Sequence, residues 1–337
     1  MWALNNRTPY AAHRTWIRDK NGHHLWLVVV KATFSVHEDG SVHLSDEQIP
    51  VSLAPEYHGD PQTTGLRCDT DLVAPKPTTD VLANATVYAP EGRAVPAIPL
   101  RFRVGEIRKQ LVVYGPRLYE RGIRGPALSA PQPFVQAPIA YELAYGGTDR
   151  TSPDPAKHVA DPKNPIGRGF AIDSRTLIDT LAHRIEYLGE PPTSNPPPPG
   201  LAPIAPHWSP RRGLAGTFDE HWKRSRRPLL PDDYEDEFLL CSPTDQRPAQ
   251  HLRGGEPVEL INLTPGGVLR FSLPKIYPTF STFIRGSRRE HRARLDTVLI
   301  EPDHNRIVMV WHAALPVPSR DVDHVDKTIV GEKDYIR

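Results

Sequence analysis

The stretch "LWLVVVKATFSV", residues 25–36, decides the fold. Its Trp26, Val28, Val30, Ala32, Phe34 and Val36 share one side of a two-residue period, the repeat of a strand whose side chains alternate across a sheet. The opposite side begins apolar with Leu25, Leu27 and Val29, then turns polar at Lys31, Thr33 and Ser35. That gradient predicts a strand passing from a position covered on both faces to one that is half exposed. "IPLRFRV", 98–104, alternates in the same way, with Ile98, Leu100, Phe102 and Val104 opposing Pro99, Arg101 and Arg103.

Turn signals at Lys20-Asn21-Gly22, Asp39-Gly40, Pro90-Glu91-Gly92 and Gly105 predict a first hairpin within 10–36 and a meander over 84–114. "PIAYELAYGG", 138–147, reads as a further strand ending in a Gly-Gly turn, and "SRTLIDTLAH", 174–183, as a short helix. "PVELINL" and "VLRFSLP" form a hairpin across Thr264 to Gly267, and "LDTVLIEPDHNRIVMVW", 295–311, forms another. The chain has 38 prolines among 337 residues, about twice the usual share. Proline removes a donor and fixes φ, so long helices should be few.

The expected fold is mainly β: antiparallel sheets in sandwich- or barrel-like units, with few short helices and long Pro-rich loops. The expected organisation is an N-terminal β region over 1–190, a Pro-rich strap or linker over 191–210, a C-terminal β region over 211–318 packed on the first, and a polar tail over 319–337. A single continuous domain over 1–318 is the alternative.

Lys plus Arg (41) nearly cancels Asp plus Glu (40), so no overall field draws the chain to nucleic acid or an anionic membrane. No stretch is apolar enough for a membrane helix or a signal peptide, which predicts a soluble cytoplasmic protein. Cys68 and Cys241 lack CxxC spacing and read as two buried thiols. GxSxG, HExxH, Walker A, GxGxxG and EF-hand patterns are all absent from the sequence. No catalytic residue, cofactor-binding residue or metal ligand is therefore assigned. His23-His24 reads as an exposed turn pair, and Asp321, Asp323 and Asp326 around His324 lack the glycine and distal Glu of a calcium loop. Arg285, Arg288, Arg289, Arg292 and Arg294 resemble a phosphate track. Glu290 interrupts them and no aromatics interleave, so a solvated loop or helix face is expected. The carboxylates of "PDDYEDEF", 231–238, read as exposed.

"LAGTFDEHW", 214–222, carries a helix start. Thr217 and Glu220 have capping-box spacing, and Lys223, Arg224 and Arg226 suit the negative end of the helix dipole. Pro228 stops the helix after about two turns. Phe218 and Trp222 then lie on one side, where so short a helix needs them to dock against the protein's own sheet.

The ordered blocks "VVVKATFSV", "KPTTDVLANATVYAPEGRAV", "VGEIRKQLVVYGPR", "APIAYELAYGG", "NPIGRGF", "WSPRRGLAGTFDEHWKRSRRPLLPDDYEDEF" and "RGGEPVELINLTPGGVLRFSLP" closely resemble one bacterial family. It was long a domain of unknown function and is encoded beside type VI secretion genes. The resemblance spans about residues 1 to 315. Where family patterns have Gly-Asp-Arg, this chain reads Gly115-Pro116-Arg117. The resemblance implies a cytoplasmic adaptor or chaperone that holds a toxic effector, often one with a PAAR or PAAR-like tip domain, and helps load it on the secretion spike. It transfers no catalytic residue. An exposed strand edge or an aromatic groove would supply the contact, with Tyr141, Tyr145, Phe218 and Trp222 as the first candidates. Two other readings are a hydrolase using Asp232, Asp233, Glu235 and His221, and a structural part of the secreted spike.

Overall fold

The structure is a computed structural model and describes residues 1–123, 125–189 and 197–333. Fifteen strands build three principal sheets. In chain order the first are β1 (Ala3–Asn6), β2 (Ala11–Arg18), β3 (His24–Val36), β4 (Val42–Leu44), β5 (Asp80–Ala83), β6 (Ala97–Val104), β7 (Ile107–Tyr114) and β8 (Ile185–Tyr187). The rest are β9 (Pro257–Ile261), β10 (Val268–Ser272), β11 (Pro278–Ile284), β12 (Ser287–Arg292), β13 (Arg294–Glu301), β14 (Arg306–Pro316) and β15 (Val325–Glu332). The largest sheet runs β2-β3-β14-β13-β5 with β4 beside β3, a second runs β8-β7-β6-β9-β10, and a third runs β1-β15-β11-β12. Pairing within them is antiparallel except for β1 with β15 and β13 with β5. The fold is mainly β with several antiparallel sheets, and none closes into a barrel.

The sheets stack around one shared core. Trp26, Val28 and Val30 of β3 meet Ile98, Leu100 and Phe102 of β6, Val258 and Leu260 of β9, and Phe280 of β11 there. Each such buried side chain contributes roughly 1.5–3 kcal/mol. The second face of β3 is also covered, because Leu27 and Val29 pack with Leu82, Leu299 and Val308. The polar end of β3 differs from the expected half-exposed one: Lys31 and Thr33 are buried. Lys31 Nζ bonds Ser52 Oγ at 2.8 Å and Asp71 Oδ2 at 2.9 Å, and Gln48 brackets the Thr33 backbone. The irregular chain after β4 covers this face and supplies those partners.

The hairpins β2/β3, β9/β10 and β13/β14 form as the sequence predicts. Three local readings change. Residues 138–147 are not one continuous strand: Pro138 ends a short strand, a 3-10 turn over Tyr141–Leu143 interrupts them, and only Tyr145–Gly146 pairs again, with Arg168–Gly169, before Gly146 and Gly147 at φ of 141° and 121° turn the chain. The predicted helix over 174–183 shrinks to a 3-10 turn, Ser174–Leu177, with Asp179 at φ 67° beyond it. Residues 86–88 pair with 136–138, not with β6, so 84–114 is a hairpin rather than a meander.

Both larger sheets mix strands from before residue 190 and after residue 211, because β9 joins β6 and β14 joins β3. Residues 190–196 of the Pro-rich run lie outside the described residues. From 199 to 205 the run is buried: Leu201 O accepts from Ala83 N at 2.9 Å and from Gln246 Nε2 at 3.0 Å. The polar tail is also corrected. After a 3-10 turn, Ser319–His324, it forms β15 between β1 and β11. Val325, Thr328 and Val330 face inward while Asp326, Lys327 and Glu332 stay exposed, an alternation that the high charge of the segment hid.

Truncation after Pro318 removes this inner strand. At roughly 5 kcal/mol of lost burial the melting midpoint should fall by more than about 10 °C, or soluble protein should be lost. Thermal melts of the full and truncated chains check this, and equal midpoints would restore the tail reading.

Candidate functional site

A large cleft, about 1220 Å³, lies where the four-stranded sheet ends at β12 and the chain crosses into β13. Residues 250–253 form its far side. A two-residue turn sets the geometry of β12. Arg285 and Gly286 take φ of 50° and 76°, both left-handed as a tight hairpin turn requires. Ile284 and Ser287 close that turn. In an antiparallel ladder bonded pairs alternate, so Ser287, Arg289 and His291 bond back to β11. The N–H and C=O groups of Arg288, Glu290 and Arg292 therefore point outward from an edge strand. The bond from Lys333 N to Tyr277 O at 3.0 Å on the far side of β11 fixes the same phase.

Charge distinguishes this edge. Arg253, Arg288, Arg292, Arg294 and Lys333 line the cleft against one carboxylate, Glu290, which pairs with Arg288 at 2.6 Å. Arg288 also bonds Ser281 Oγ at 3.0 Å. Among the described residues, Arg253, Arg292, Arg294 and Lys333 have no ion-pair partner. The sequence reading of Arg285–Arg294 as a loop or helix face is corrected to a turn and an edge strand. The signal was present in the β-rich "PTFSTFI" followed by Arg-Gly.

Beneath the edge, a chain of polar groups ties two sheets together. Trp26 Nε1 donates to Thr328 Oγ1 at 2.8 Å, Thr328 and Thr282 share a 2.7 Å bond, and Thr282 Oγ1 meets His291 Nε2 at 2.8 Å. His291 Nδ1 is buried without a partner, and burial pushes this imidazole down to about 4. Deeper still, Asp296 lies 3.2 Å from His251 Nε2 and 3.0 Å from His312 Nδ1. Burial opposes its charge, but the two histidines and the Lys76 amide outweigh that and hold it below the usual carboxylate range.

The residues singled out from sequence fall elsewhere. Tyr141 is 1% exposed, with its hydroxyl on Ala202 O at 3.0 Å and its ring edge-on to Trp208. Tyr145 is half-buried and packs edge-on against His183. Phe218 is 52% exposed and packs edge-to-face against Trp222 with ring centroids 4.8 Å apart, while Trp222 Nε1 donates to Leu229 O at 2.8 Å. The expected docking of both rings on a sheet is thus replaced by a mutual edge-to-face contact between helix α1 (Glu220–Ser225) and the residues just before it. The capping box is also corrected: α1 is capped by Asp219, whose carboxylate accepts from Trp222 N at 2.8 Å. Asp outcompetes Thr217 because Asp233 holds Thr217 through its amide at 2.9 Å and hydroxyl at 2.7 Å. Glu220 pairs with Lys223 instead.

Asp232 bridges to Arg226 at 3.0 Å, and His221 Nε2 lies 3.3 Å from Ser225 Oγ. The Asp321 carboxylate binds Arg285. Among the described residues no group of three His, Cys, Asp or Glu side chains could hold a metal, and no helix is long and apolar enough to cross a membrane. Cys241 is buried and Cys68 half-buried, both as free thiols.

The sequence model of a bacterial family, described as an uncharacterized protein conserved in bacteria (DUF2169), matches residues 21–312, and the chain belongs to that family. The matched span contains β12 and most of the cleft but ends before β15. No curated protein and no solved structure matches the chain.

A lowered histidine costs stability when the pH falls, because the unfolded chain binds the proton first. The His291 contribution is complete above about 6.5 and is lost as pH falls from there to about 4. Urea titrations across this window should show wild type losing about 2 kcal/mol more than His291→Gln. Parallel pH profiles for the two proteins would contradict the burial of this ring.

Proposed function

We propose that this family member is a protein-binding adaptor, and that it receives an extended segment of its partner at the open edge of β12. The observation that carries this reading is the run of outward backbone groups at Arg288, Glu290 and Arg292 beside a cleft of about 1220 Å³. Backbone pairing at a sheet edge supplies affinity, and side-chain pockets supply choice. The blocks that resemble the type VI-associated family suggest the partner: a toxic effector or its PAAR-like tip domain, held for loading on the spike. Binding rather than chemistry is the role, and the cytoplasm is the compartment in which such loading would occur. Phe218, exposed, and Trp222, half-buried, form a pair about which the edge argument says nothing, so they serve as a comparison surface.

Proline separates edge pairing from folding. At Glu290 it removes an outward N–H that β11 does not use, whereas at Arg289 it removes a ladder bond. Glu290→Pro should melt within about 2 °C of wild type and weaken capture of a purified partner by at least about tenfold, as read by surface plasmon resonance. Arg289→Pro should lower the melting midpoint. Full capture by Glu290→Pro, with loss instead in a Phe218→Ser and Trp222→Ser double variant, would overturn the reading.

A further inference from the structure

We infer that the segment received at β12 is acidic in a fixed register: carboxylates four residues apart, opposite Arg288 and Arg292, with an uncharged or basic residue midway, opposite Glu290. The inference rests on the proposed role of β12 as a receiving edge and adds the chemistry of what it receives.

Alternation along β12 places Arg288, Glu290 and Arg292 on one face of the sheet. A strand laid along the edge sets its own residues opposite these three at every second position, whichever way it runs. Opposite charges facing across strands stabilise the pair and like charges oppose it, so the pattern positive, negative, positive selects negative, non-negative, negative. Arg288 already shares Glu290 and Ser281, whereas Arg292 has no ion-pair partner among the described residues and is the stronger selector. Arg253, Arg294 and Lys333 add a positive field around the cleft in a chain whose total charge is close to zero, and this field steers acidic segments toward the edge.

Two other occupants fit less well. A second copy pairing antiparallel about Glu290 sets Arg288 against Arg292 and Glu290 against itself, like-charge contacts that protect edges from self-association, and the register centred on Arg289, which sets Arg288 against Glu290, leaves Arg292 facing Gly286 with no acid. Single-stranded nucleic acid needs a row of ring faces for base stacking, but Phe280 and Trp311 in the cleft wall are 2% and 5% exposed, which leaves Tyr277, 38% exposed, as a single ring rather than a row. Glu290 also interrupts any phosphate track. The outward N–H and C=O groups match a peptide backbone.

The test uses the full chain and a fluorescein-labelled peptide, Val-Asp-Val-Ser-Val-Asp-Val, read by fluorescence anisotropy. Binding should weaken at least about tenfold for the peptide with both Asp replaced by Lys, and by a similar factor when the outward amides are N-methylated. Arg292→Glu should lose the acidic peptide and gain the one whose facing residue is Lys, a rescue that mere loss of fold does not produce. Moving the two Asp residues to adjacent positions should also weaken binding. Equal binding of the acidic and Lys peptides, indifference to N-methylation, or displacement by a single-stranded oligonucleotide at comparable concentration would overturn the inference. If Glu290→Pro abolishes partner capture while the acidic peptide fails to bind, the receiving edge stands and only its chemistry is wrong. If capture survives Glu290→Pro, the receiving edge itself falls.

Discussion

A single buried carboxylate, Asp80, organises much of this fold. It opens β5 fully buried and accepts from Lys76 Nζ at 2.7 Å, Cys241 N at 3.0 Å and Ser242 N at 2.8 Å, with the Ser242 hydroxyl as well. Burial opposes its ionisation, yet Lys76 and these donors keep it charged. A buried charge left without partners is strongly destabilising, so the irregular chain between β8 and β9 is compelled to close over β5. Gln246 then bonds Val81 O and Leu201 O, and Leu201 O takes Ala83 N. Residues 199–205, outside any helix or strand, are thereby held in the interior.

Interior cations follow one rule and cleft cations another. Lys31, Lys76, Lys109, Arg117 and Arg211 are buried, and each has a carboxylate: Asp71, Asp80, Asp245, Glu186 and Asp69. Charged groups in a low-dielectric interior need such partners. Around β12, Arg253, Arg292, Arg294 and Lys333 are exposed and have no ion-pair partner among the described residues, and the edge they flank keeps its outward backbone groups. Two effects follow from that arrangement. The charges discourage self-association, and they leave a surface complementary to an acidic strand.

The hydrophobic alternation made the strands legible: "LWLVVVKATFSV", "IPLRFRV" and the hairpins after 257 fold as their periods indicate. What the sequence hid is long-range pairing. Lys31 and Thr33 look solvent-facing until Asp71 and Gln48 arrive from a loop, and β15 looks like a charged tail until β1 and β11 flank it. The helix cap moved from Thr217 to Asp219 because a distant carboxylate, Asp233, captured the threonine. The candidate site was half legible. An exposed strand edge followed from reading a β-rich binding protein, but which edge depends on the turn at Arg285-Gly286 and on how sheets stack. Tyr141, chosen for its aromatic character, serves the core instead.

Amide hydrogen exchange resolved to single residues, on the free protein and on its complex with the partner, tests the central claim most directly. The outward amides of Arg288, Glu290 and Arg292 have no ladder bond in the free chain and should exchange fast, then become protected by at least about tenfold in the complex. The amides of Arg289 and His291 should be slow in both. Unchanged exchange at the three outward amides, with new protection around Phe218 and Trp222, would contradict the account.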